Sequence, residues 1–264
     1  MEWSEGYAVT PEGGLAVARL LPRPTCPWCG GSGRREVRID GELRVGRCRC
    51  QRLLDRVALF NAAGIPARNA TSTMENFRCD LPGVMPGWQA TRGWLDRFRP
   101  AEENLGLILE GEPGRGKTHL LAAAVRELIF RHGVPCRLVE FSHLLSTLKE
   151  GYDRGLGEAA TLGPLIRVPI LAIDELGKGR KTDWELAIID ELVSRRYNTR
   201  GTILGTTNFP SRPPPRKPTG GDSLATGGVE TLSDRLGERV FSRLKETVTF
   251  APALGEDYRK TRGR

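Results

Sequence analysis

The chain has 264 residues, of which 39% are hydrophobic, and it carries a formal net charge of +8 at pH 7. That length suits one α/β domain plus a small module, and the sequence has no run of about 18 apolar residues, which excludes a membrane-spanning helix. The segment 1–5 carries two glutamates and lacks the charged-then-apolar pattern of a secretory signal, so we expect a cytoplasmic protein.

Arginine supplies 33 of the 40 basic residues. Its planar side chain with several donors suits phosphate contacts, so the charge favours a polyanion partner. It does so only weakly, because a GC-rich genome would produce the same bias without any binding. Six cysteines in a cytoplasmic protein argue against a disulfide framework, so their spacing has to explain them.

The first predicted element is a cluster of four cysteines. A C-x2-C pair, Cys26 and Cys29, is followed after 18 residues by a C-x-C pair, Cys48 and Cys50. Four thiolates are the donor set of a tetrahedral zinc site, and residues 34–47 have the pattern of a β-hairpin that would bring the pairs together. So small a segment cannot bury enough surface to fold alone. Zinc binding would contribute roughly 10 kcal/mol or more of folding free energy.

Zinc is the metal we expect at this cluster, and an iron–sulfur cluster is the alternative. The C-x-C pair is less typical of zinc than a second C-x2-C pair. A colourless purified protein would favour zinc, and a brown one would overturn it. The remaining cysteines, Cys79 and Cys136, lie far apart in sequence and are expected to be ordinary buried residues.

Residues 34–56 carry eight arginines against four acidic residues. They form either a contact face for nucleic acid or an acidic partner, or a solvated surface, and the sequence does not choose between these. A helix over 51–60 is predicted to end before the Ile-Pro pair at 65–66. We expect a linker over residues 61–80.

A phosphate-binding motif lies in the middle of the chain. Residues 111–118 fit the pattern G-x-x-x-x-G-K-[ST], and they follow an apolar run (105–110) and precede a run of helix formers (119–131). Strand, loop and helix are the context that the motif needs. The predicted nucleotide-binding residues are Gly111, Glu112, Pro113, Gly114, Arg115, Gly116, Lys117, Thr118 and His119.

The chemistry of phosphate binding explains these residue types. Glycines let the loop fold tightly, so that successive N–H groups and the positive end of the next helix form a nest for phosphate oxygens. Lys117 would reach the terminal phosphates of ATP as a point charge, and the Thr118 hydroxyl would help to hold Mg²⁺. The alternative is a glycine-rich turn that binds nothing.

A second signature begins 50 residues after Thr118, where residues 168–176 read as a buried strand that ends in two carboxylates. Because the carboxyl end of that strand faces the phosphates, Asp174 would orient Mg²⁺ through its water shell. Glu175 would act as general base on the attacking water. A structural ion pair is the alternative role for Glu175.

The next predicted strand, 201–208, ends at Asn208. An amide at the carboxyl end of a strand can contact the γ-phosphate and position the attacking water, and the alternative is an Asn that caps the following segment. Residues 209–230 are rich in Pro, Gly and polar groups, so we expect a mobile loop there, for which the sequence suggests no function.

A helical pattern over 231–245 bears Arg235, Arg239 and Arg243. One of these arginines is a candidate arginine finger. Such a guanidinium, inserted from a neighbouring subunit, stabilises the charge that develops on the transferring phosphoryl group and makes hydrolysis depend on assembly.

With these motifs in this order, residues from about 65 to 250 resemble the AAA+ core of bacterial and phage replicative helicase loaders of the DnaC/DnaI type. The resemblance rests on the phosphate loop, the Asp-Glu strand, the Thr-Thr-Asn at 206–208 and the Gly-Glu-Arg-Val-Phe-Ser-Arg at 237–243. The cysteine pattern is similar to the zinc-bearing N-terminal modules of some of these loaders. Further matches lie at 64–66, 74–77 and 141–149.

The resemblance implies an α/β fold in which a P-loop AAA+ core has a five-stranded, mostly parallel sheet with helices on both faces. Arg243 matches the arginine finger of the family best and Arg239 is the second candidate, and either could instead pair with a carboxylate structurally. The residues that the family implies for nucleotide, Mg²⁺ and hydrolysis are Lys117, Thr118, Asp174, Glu175 and Asn208.

In this family an N-terminal module grips a hexameric helicase, while the ATPase modules assemble and contact single-stranded DNA. The resemblance therefore implies an ATP-dependent helicase loader that acts in replication initiation and self-assembles through an arginine finger in trans. The domain organisation we expect is a zinc module over 1–60, the linker over 61–80 and an AAA+ ATPase domain over 81–264. The sequence by itself does not show the helicase.

Three rival functions are left open. A transposition helper ATPase of the IstB type shares the core but binds duplex DNA, and the cysteine module favours a loader over it. A non-catalytic zinc adaptor with a structural nucleotide site is disfavoured by the intact Lys117, Asp174 and Glu175. A generic single-stranded nucleic-acid ATPase is disfavoured because the sequence has no obvious platform of clustered aromatic residues.

Overall fold

The structure, a computed structural model, describes residues 6–21, 26, 28–39, 41–213 and 229–261. Its strands are β1 (Tyr7–Glu12), β2 (Leu15–Leu20), β3 (Arg34–Ile39), β4 (Glu42–Arg47), β5 (Gly106–Glu110), β6 (Cys136–Glu140), β7 (Ile170–Asp174), β8 (Thr202–Thr207) and β9 (Val248–Pro252). Its helices are α1 (Arg49–Ala63), α2 (Met85–Arg97), α3 (Lys117–Glu127), α4 (Phe141–Asp153), α5 (Glu158–Arg167), α6 (Asp183–Asn198), α7 (Leu232–Leu236), α8 (Glu238–Thr247) and α9 (Tyr258–Thr261).

The central feature is a five-stranded sheet with the order β6-β7-β8-β5-β9. Every pairing between neighbouring strands in it is parallel, which confirms the predicted α/β class and sheet. Parallel strands covered on both faces read as nearly continuous apolar runs, and β7 and β8 are accordingly buried along their whole length. All five strands end at one edge of the sheet, and this edge carries the predicted site.

Helices cover both faces of the sheet, as predicted. The side chains of β5 alternate between two apolar cores, because successive residues of a strand point to opposite faces. Leu107 and Leu109 join α2 and α3 in one core, while Ile108 joins α4, α6 and α8 in the other. Each fully buried Leu or Ile contributes roughly 1.5–3 kcal/mol relative to an exposed one. This burial holds the strand before the phosphate loop from both sides.

The opposite edge of the sheet is held by a buried arginine. Arg196, near the end of α6, is fully buried. Its guanidinium donates to carbonyls at the end of α5, in the segment before β7 and at the first residue of β8. Delocalised charge and several fixed donors suit Arg to this task better than Lys. The carbonyls that accept from it belong to Leu165, Ile166, Val168, Pro169 and Thr202.

The N-terminal strands and α1 pack on the same core. The ring of Tyr7 stacks on Phe130 with centroids 3.8 Å apart, and Phe60 of α1 contacts the same ring at 5.3 Å. Within the predicted linker, Ile65 and Met74 are also buried in this core. The segment boundaries at residues 60 and 80 remain predictions.

Strand β4 of the hairpin formed by β3 and β4 is largely exposed. The two strands form a sheet of their own, and Leu43 and Val45 on β4 are 62% and 67% exposed. Of the loop predicted at 209–230, residues 214–228 lie outside the described part of the chain. Within that part, no helix combines the length and the apolarity that a bilayer span requires.

Candidate functional site

The phosphate loop, which is the predicted phosphate-binding motif at residues 111–118, lies between β5 and α3 and includes the first two residues of α3. Gly111, Gly114 and Gly116 have φ of +153°, +83° and +76°, in the region that favours glycine. Close neighbours exclude larger residues as well. A Cβ at Gly111 would lie 2.3 Å from the carbonyl oxygen of Ala253, and a Cβ at Gly114 would lie 2.0 Å from the carboxylate of Asp257. The chain after β9 therefore packs directly against the loop.

Lys117 begins α3 and is buried beneath the loop. Its Nζ donates to the carbonyls of Gly111 at 2.5 Å and Glu112 at 2.7 Å, and to Oδ1 of Asn208 at 2.8 Å. Asn208 is 91 residues away in sequence, so the parallel sheet brings the predicted sensor to the predicted phosphate lysine. A phosphate in the loop would compete with these neutral acceptors for the ammonium.

Asp174 ends β7 and is only 1% exposed. The Thr118 hydroxyl donates to its two oxygens at 3.0 Å each, and the Thr206 hydroxyl donates to Oδ1 at 2.6 Å. Burial raises the pKa of Asp174, against the lowering effect of these hydroxyls. A carboxylate beside a threonine hydroxyl is an oxygen donor set that fits Mg²⁺.

Arg68 and Thr206 are site residues that the sequence reasoning missed. Arg68 Nη2 lies 3.7 Å from Asp174 Oδ2, and no local pattern points to it because the two residues are 106 positions apart. Thr206 stands in the Thr-Thr-Asn motif, so a signal for it existed. It donates to Asp174 and accepts the Glu175 N–H at 2.9 Å, and therefore holds both carboxylate-bearing residues.

Glu175 follows the strand in a left-handed conformation, with φ of +56°. Its carboxylate pairs with the ammonium of Lys178, which also lies 3.6 Å from Glu140. The observed position of Glu175 is therefore compatible with both of its predicted roles, the general base and the alternative structural ion pair. Non-glycine residues in this conformation cluster at functional sites.

A cavity of about 110 Å³ opens beside the phosphate loop. His119 lies in its wall, with its ring against Phe77 at a centroid distance of 5.4 Å and its Nε2–H donating to the Thr73 carbonyl at 2.9 Å. Burial lowers the pKa of His119, so the imidazole is neutral near pH 7. Apolar and aromatic walls next to a phosphate loop suit a nucleobase. The residues around the cavity include Phe77, Arg78, Val84, Gly114, His119 and Tyr258.

The candidate arginine fingers share one carboxylate in their own chain. Arg243 donates to Asp190 at 2.8 Å and to the Ser194 hydroxyl. Arg239 lies 3.6 Å from the same carboxylate, and its side chain is 72% exposed. Arg235 donates to carbonyls of the turn after Glu175. The choice between Arg239 and Arg243 remains a prediction.

The four cysteines of the N-terminal cluster converge. All their Sγ atoms lie within 4.8 Å of one another, with Cys26 to Cys48 at 3.8 Å and Cys29 to Cys50 at 3.6 Å. Tetrahedral zinc with Zn–S bonds of about 2.3 Å requires sulfur separations of about 3.8 Å. The Gly33 N–H donates to the Cys29 sulfur at 3.3 Å, a contact that supports a thiolate. The donor set fits zinc.

Two aromatic side chains meet beside a lysine on the surface. Tyr152 at the end of α4 and Trp184 at the start of α6 meet edge to face, with ring centroids 6.1 Å apart. Lys149 places its Nζ 4.9 Å from the centre of the Trp184 ring, and Tyr152 is exposed. We call these three residues the aromatic cluster. The sequence does not reveal this cluster, because its members come from two different helices.

Part of the chain matches a family of ATP-binding proteins. The family described as IstB-like ATP binding protein matches residues 94–212, which include the phosphate loop, both carboxylates and Asn208. The replicative helicase loader DnaC of Escherichia coli (strain K12) is 29% identical over 188 residues, covering 70% of this chain and 68% of that protein. DnaC of Buchnera aphidicola subsp. Acyrthosiphon pisum (strain APS) is 26% identical over 189 residues, covering 71% and 68%.

Solved structures agree on the fold. A crystal structure of the DnaC helicase loader aligns with a TM-score of 0.57 and 26% identity, over 70% of this chain and 98% of that one. The crystal structure of DnaI aligns with the same TM-score at 18% identity, over 74% and 94%, and this similarity supports the fold alone. The similarity to these neighbours confirms the predicted AAA+ architecture.

Proposed function

We propose that this chain is an ATP-dependent loader of a hexameric replicative DNA helicase, because residues 94–212 match the IstB-like ATP-binding family and the similar proteins include DnaC helicase loaders. The observation that carries the ATP-dependent step is that side chains of the phosphate loop meet side chains at the ends of two strands. Lys117 meets Asn208, and Thr118 meets Asp174, at the carboxyl edge of the sheet.

Each of these residues has a defined task in the proposed hydrolysis of ATP to ADP and phosphate. The loop amides and Lys117 bind the phosphates, while Asn208 orients the attacking water. Glu175 accepts the proton of that water as general base. Thr118 and Asp174 would hold Mg²⁺, which supplies positive charge to the phosphate oxygens.

Two surfaces support the proposed partners. The aromatic cluster combines the exposed ring of Tyr152, the half-buried ring of Trp184 and an ammonium. Proteins that bind single-stranded DNA use aromatic rings to stack on bases and cationic side chains to contact the backbone. The hairpin held by the four cysteines exposes Leu43 and Val45, two residues apart on one face of β4, and their cross-strand neighbours Arg38 and Glu36 are charged. Exposed apolar residues ringed by charge suit a protein contact, here with the helicase.

A transposition helper of the IstB type is the second candidate, because the matching family is described by that protein. The cysteine cluster and the DnaC relatives favour the loader. A helper would associate with a transposase on duplex DNA, whereas a loader would associate with a hexameric helicase.

Affinity capture with the Glu175→Gln variant and ATP tests the proposal. Loss of the general base with retained binding should trap the ATP-bound state, so we expect helicase subunits to be recovered from a lysate of the source cells. The matched control is Lys117→Ala, which should neither bind ATP nor retain the helicase. Recovery of a transposase instead would favour the helper, and equal capture by both variants would contradict an ATP-dependent interaction.

A further inference from the structure

An arginine of the segment that joins α1 to α2 lies beside the carboxylate at the end of β7. Arg68 Nη2 is 3.7 Å from Asp174 Oδ2, a distance that allows an ion pair but exceeds that of a hydrogen bond. The oxygens of Asp174 already accept from the hydroxyls of Thr118 and Thr206 at 2.6 to 3.0 Å. Among the residues that the structure describes, none accepts a hydrogen bond from the guanidinium of Arg68. Its donors can therefore serve another acceptor at this site.

The backbone of this segment is fixed, while the side chain of Arg68 is 62% exposed. Residues Ala67–Asn69 form a single turn of 3-10 helix. Directly after this turn, the carbonyl of Ala70 accepts from Arg126 Nη1 of α3 at 3.0 Å. Before the turn, Ile65 is buried in the core that contains α3. The guanidinium can therefore change its partner without any movement of the backbone.

Asp174 cannot serve Arg68 and a magnesium ion equally. The guanidinium of Arg68 would be repelled by Mg²⁺ held by Thr118 and Asp174, since both are cations. An ion pair as exposed as this one contributes only about 0–1 kcal/mol, so little free energy is lost when it opens. The phosphates bound by Lys117 would then carry the negative charge nearest to the released guanidinium. Phosphate oxygens suit an arginine well, because its planar side chain can donate two parallel hydrogen bonds.

The same segment is bonded to the hairpin of β1 and β2. The Ala67 N–H donates to the carbonyl of Gly14, in the turn of that hairpin, at 2.9 Å. The Ala16 N–H of β2 donates to the Ile65 carbonyl at 2.8 Å. Both bonds are made by residues within three positions of Arg68. A ligand that orders Arg68 should therefore also restrain the hairpin at its turn.

We propose that Arg68 binds the terminal phosphate of ATP and thereby connects the nucleotide to the hairpin of β1 and β2. This inference rests on the proposed function and deepens it, because ADP lacks that phosphate. Arg68 exchanges a carboxylate oxygen of Asp174 for a phosphate oxygen, and no covalent bond changes. The segment between α1 and α2 is then restrained by ATP and released when only ADP is bound.

Calorimetry in the presence of Mg²⁺ tests the contact, with ADP and with AMP-PNP, an analogue that keeps the terminal phosphate and is not hydrolysed. For Arg68→Met we expect the affinity for AMP-PNP to fall about five- to tenfold, since a charge-assisted hydrogen bond is lost. The affinity for ADP should change less than about twofold, because ADP does not reach Arg68. The matched control is Arg97→Met at the exposed end of α2, which should change neither affinity.

Two further measurements complete the test. The melting temperatures of nucleotide-free Arg68→Met and wild type should agree within about 3 °C, because an exposed ion pair contributes little to stability. Hydrogen exchange over residues 14–20 examines the connection to the hairpin. In the wild type, AMP-PNP should slow exchange there more than ADP does, because only AMP-PNP orders Arg68. In Arg68→Met the two nucleotides should have the same effect.

The outcomes separate this inference from the function on which it rests. If the wild type binds both nucleotides and Arg68→Met loses affinity for both equally, or for neither, the contact with the terminal phosphate is overturned and nucleotide binding stands. If the wild type binds no more nucleotide than Lys117→Ala does, the proposed ATP-dependent function falls and this inference falls with it. A selective loss of AMP-PNP affinity, with equal exchange in the two nucleotide complexes of the wild type, would support the phosphate contact and overturn the connection to the hairpin.

Discussion

At the scale of single residues, the buried carboxylate of Asp174 lowers the stability of the nucleotide-free protein at neutral pH. This residue is 1% exposed, and burial raises its pKa above the usual value near 3.8. The folded protein therefore holds this proton to higher pH than the unfolded chain does. Consequently, the free energy of unfolding falls as the pH rises through the folded-state pKa. The folded protein is less stable with Asp174 charged, as at neutral pH, than with Asp174 protonated. A cation bound at neutral pH would offset that cost.

We expect Asp174→Asn to raise the free energy of unfolding of the nucleotide-free protein by about 1 kcal/mol at pH 7.5, because the buried charge is removed. The gain should shrink as the pH is lowered through the folded-state pKa, and it should be lost well below pH 3.8, where the wild-type carboxyl group is protonated in both states. Urea titrations at several pH values measure this. ATP turnover should be lost in the same variant.

The matched control for this prediction is Asp153→Asn, on the exposed end of α4, which should change the free energy of unfolding by less than about 0.5 kcal/mol. A lower stability of Asp174→Asn at pH 7.5 would mean that the hydroxyls of Thr118 and Thr206 outweigh burial at this site.

Arg196 makes a second prediction at this scale. Its guanidinium donates to carbonyls of the segment before β7 and of β8, so Arg196→Met leaves several buried acceptors without donors. We expect it to lower the free energy of unfolding by about 3 kcal/mol or more. Its neighbour Arg195 is exposed and pairs with Glu191, so Arg195→Met should cost less than about 0.5 kcal/mol. Similar losses in the two variants would contradict a structural role for the buried guanidinium.

At the scale of elements, the hairpin of β3 and β4 depends on the cysteine cluster. Leu43 and Val45 of β4 are exposed rather than packed in a core, so a metal bound by the four sulfurs would supply the stability that a core supplies elsewhere. Cys48 also precedes the first residue of α1, and its N–H donates to the Gly33 carbonyl at 2.8 Å. The metal would therefore connect the hairpin to the start of the helix that packs on the ATPase core.

We expect about one zinc per chain by elemental analysis, and a colourless protein. Chelation should speed hydrogen exchange across residues 28–50, because the hairpin loses its support, and should leave β7 protected within the sheet. Cys29→Ser should lose the metal, while Cys79→Ser, outside the cluster, should retain it. Retention of zinc by Cys29→Ser, or iron in place of zinc, would contradict the assignment.

At the scale of the whole molecule, the candidate arginine fingers raise the question of assembly. Arg243 pairs with Asp190 and Ser194 in its own chain, and Arg239 reaches the same carboxylate from a more exposed position. A finger acts on the nucleotide of a neighbouring subunit, so these contacts within the chain would have to yield on assembly. Because the two arginines share one carboxylate, we expect substitution of either one to affect the ion pair of the other.

Mixing variants tests the finger. Arg243→Ala and Glu175→Gln should each abolish turnover alone, and mixing them should restore a fraction of the wild-type rate. A mixed interface can combine the intact arginine of one subunit with the intact general base of the other. Steady-state ATP hydrolysis at equal total protein measures the recovery. If Arg239→Ala complements and Arg243→Ala does not, the finger is Arg239, and the absence of complementation by either variant would contradict a finger in trans.

Much of the candidate site is predictable because its chemistry is local in sequence. The phosphate loop, the Asp-Glu pair and the cysteine spacing each put cooperating groups within a few residues, where backbone geometry alone limits their arrangement. The five-stranded parallel sheet follows from buried strands alternating with helices, since parallel strands need such crossovers. The domain boundaries at 60 and 80 are less predictable, because α1 contributes Cys50 to the cysteine cluster and also packs, like β1, against the core of the larger domain.

The amino-acid sequence by itself determined that this protein has a phosphate loop, paired carboxylates and a metal-ligand pattern, since each is a short run of residues with its own chemistry. Only the tertiary structure decided that Arg68 lies beside Asp174, that Asn208 accepts from Lys117 and that Tyr152 meets Trp184. Those pairs are brought together by the order of the strands and the packing of the helices. No local pattern records such contacts, because they form only when distant segments bury their apolar faces together.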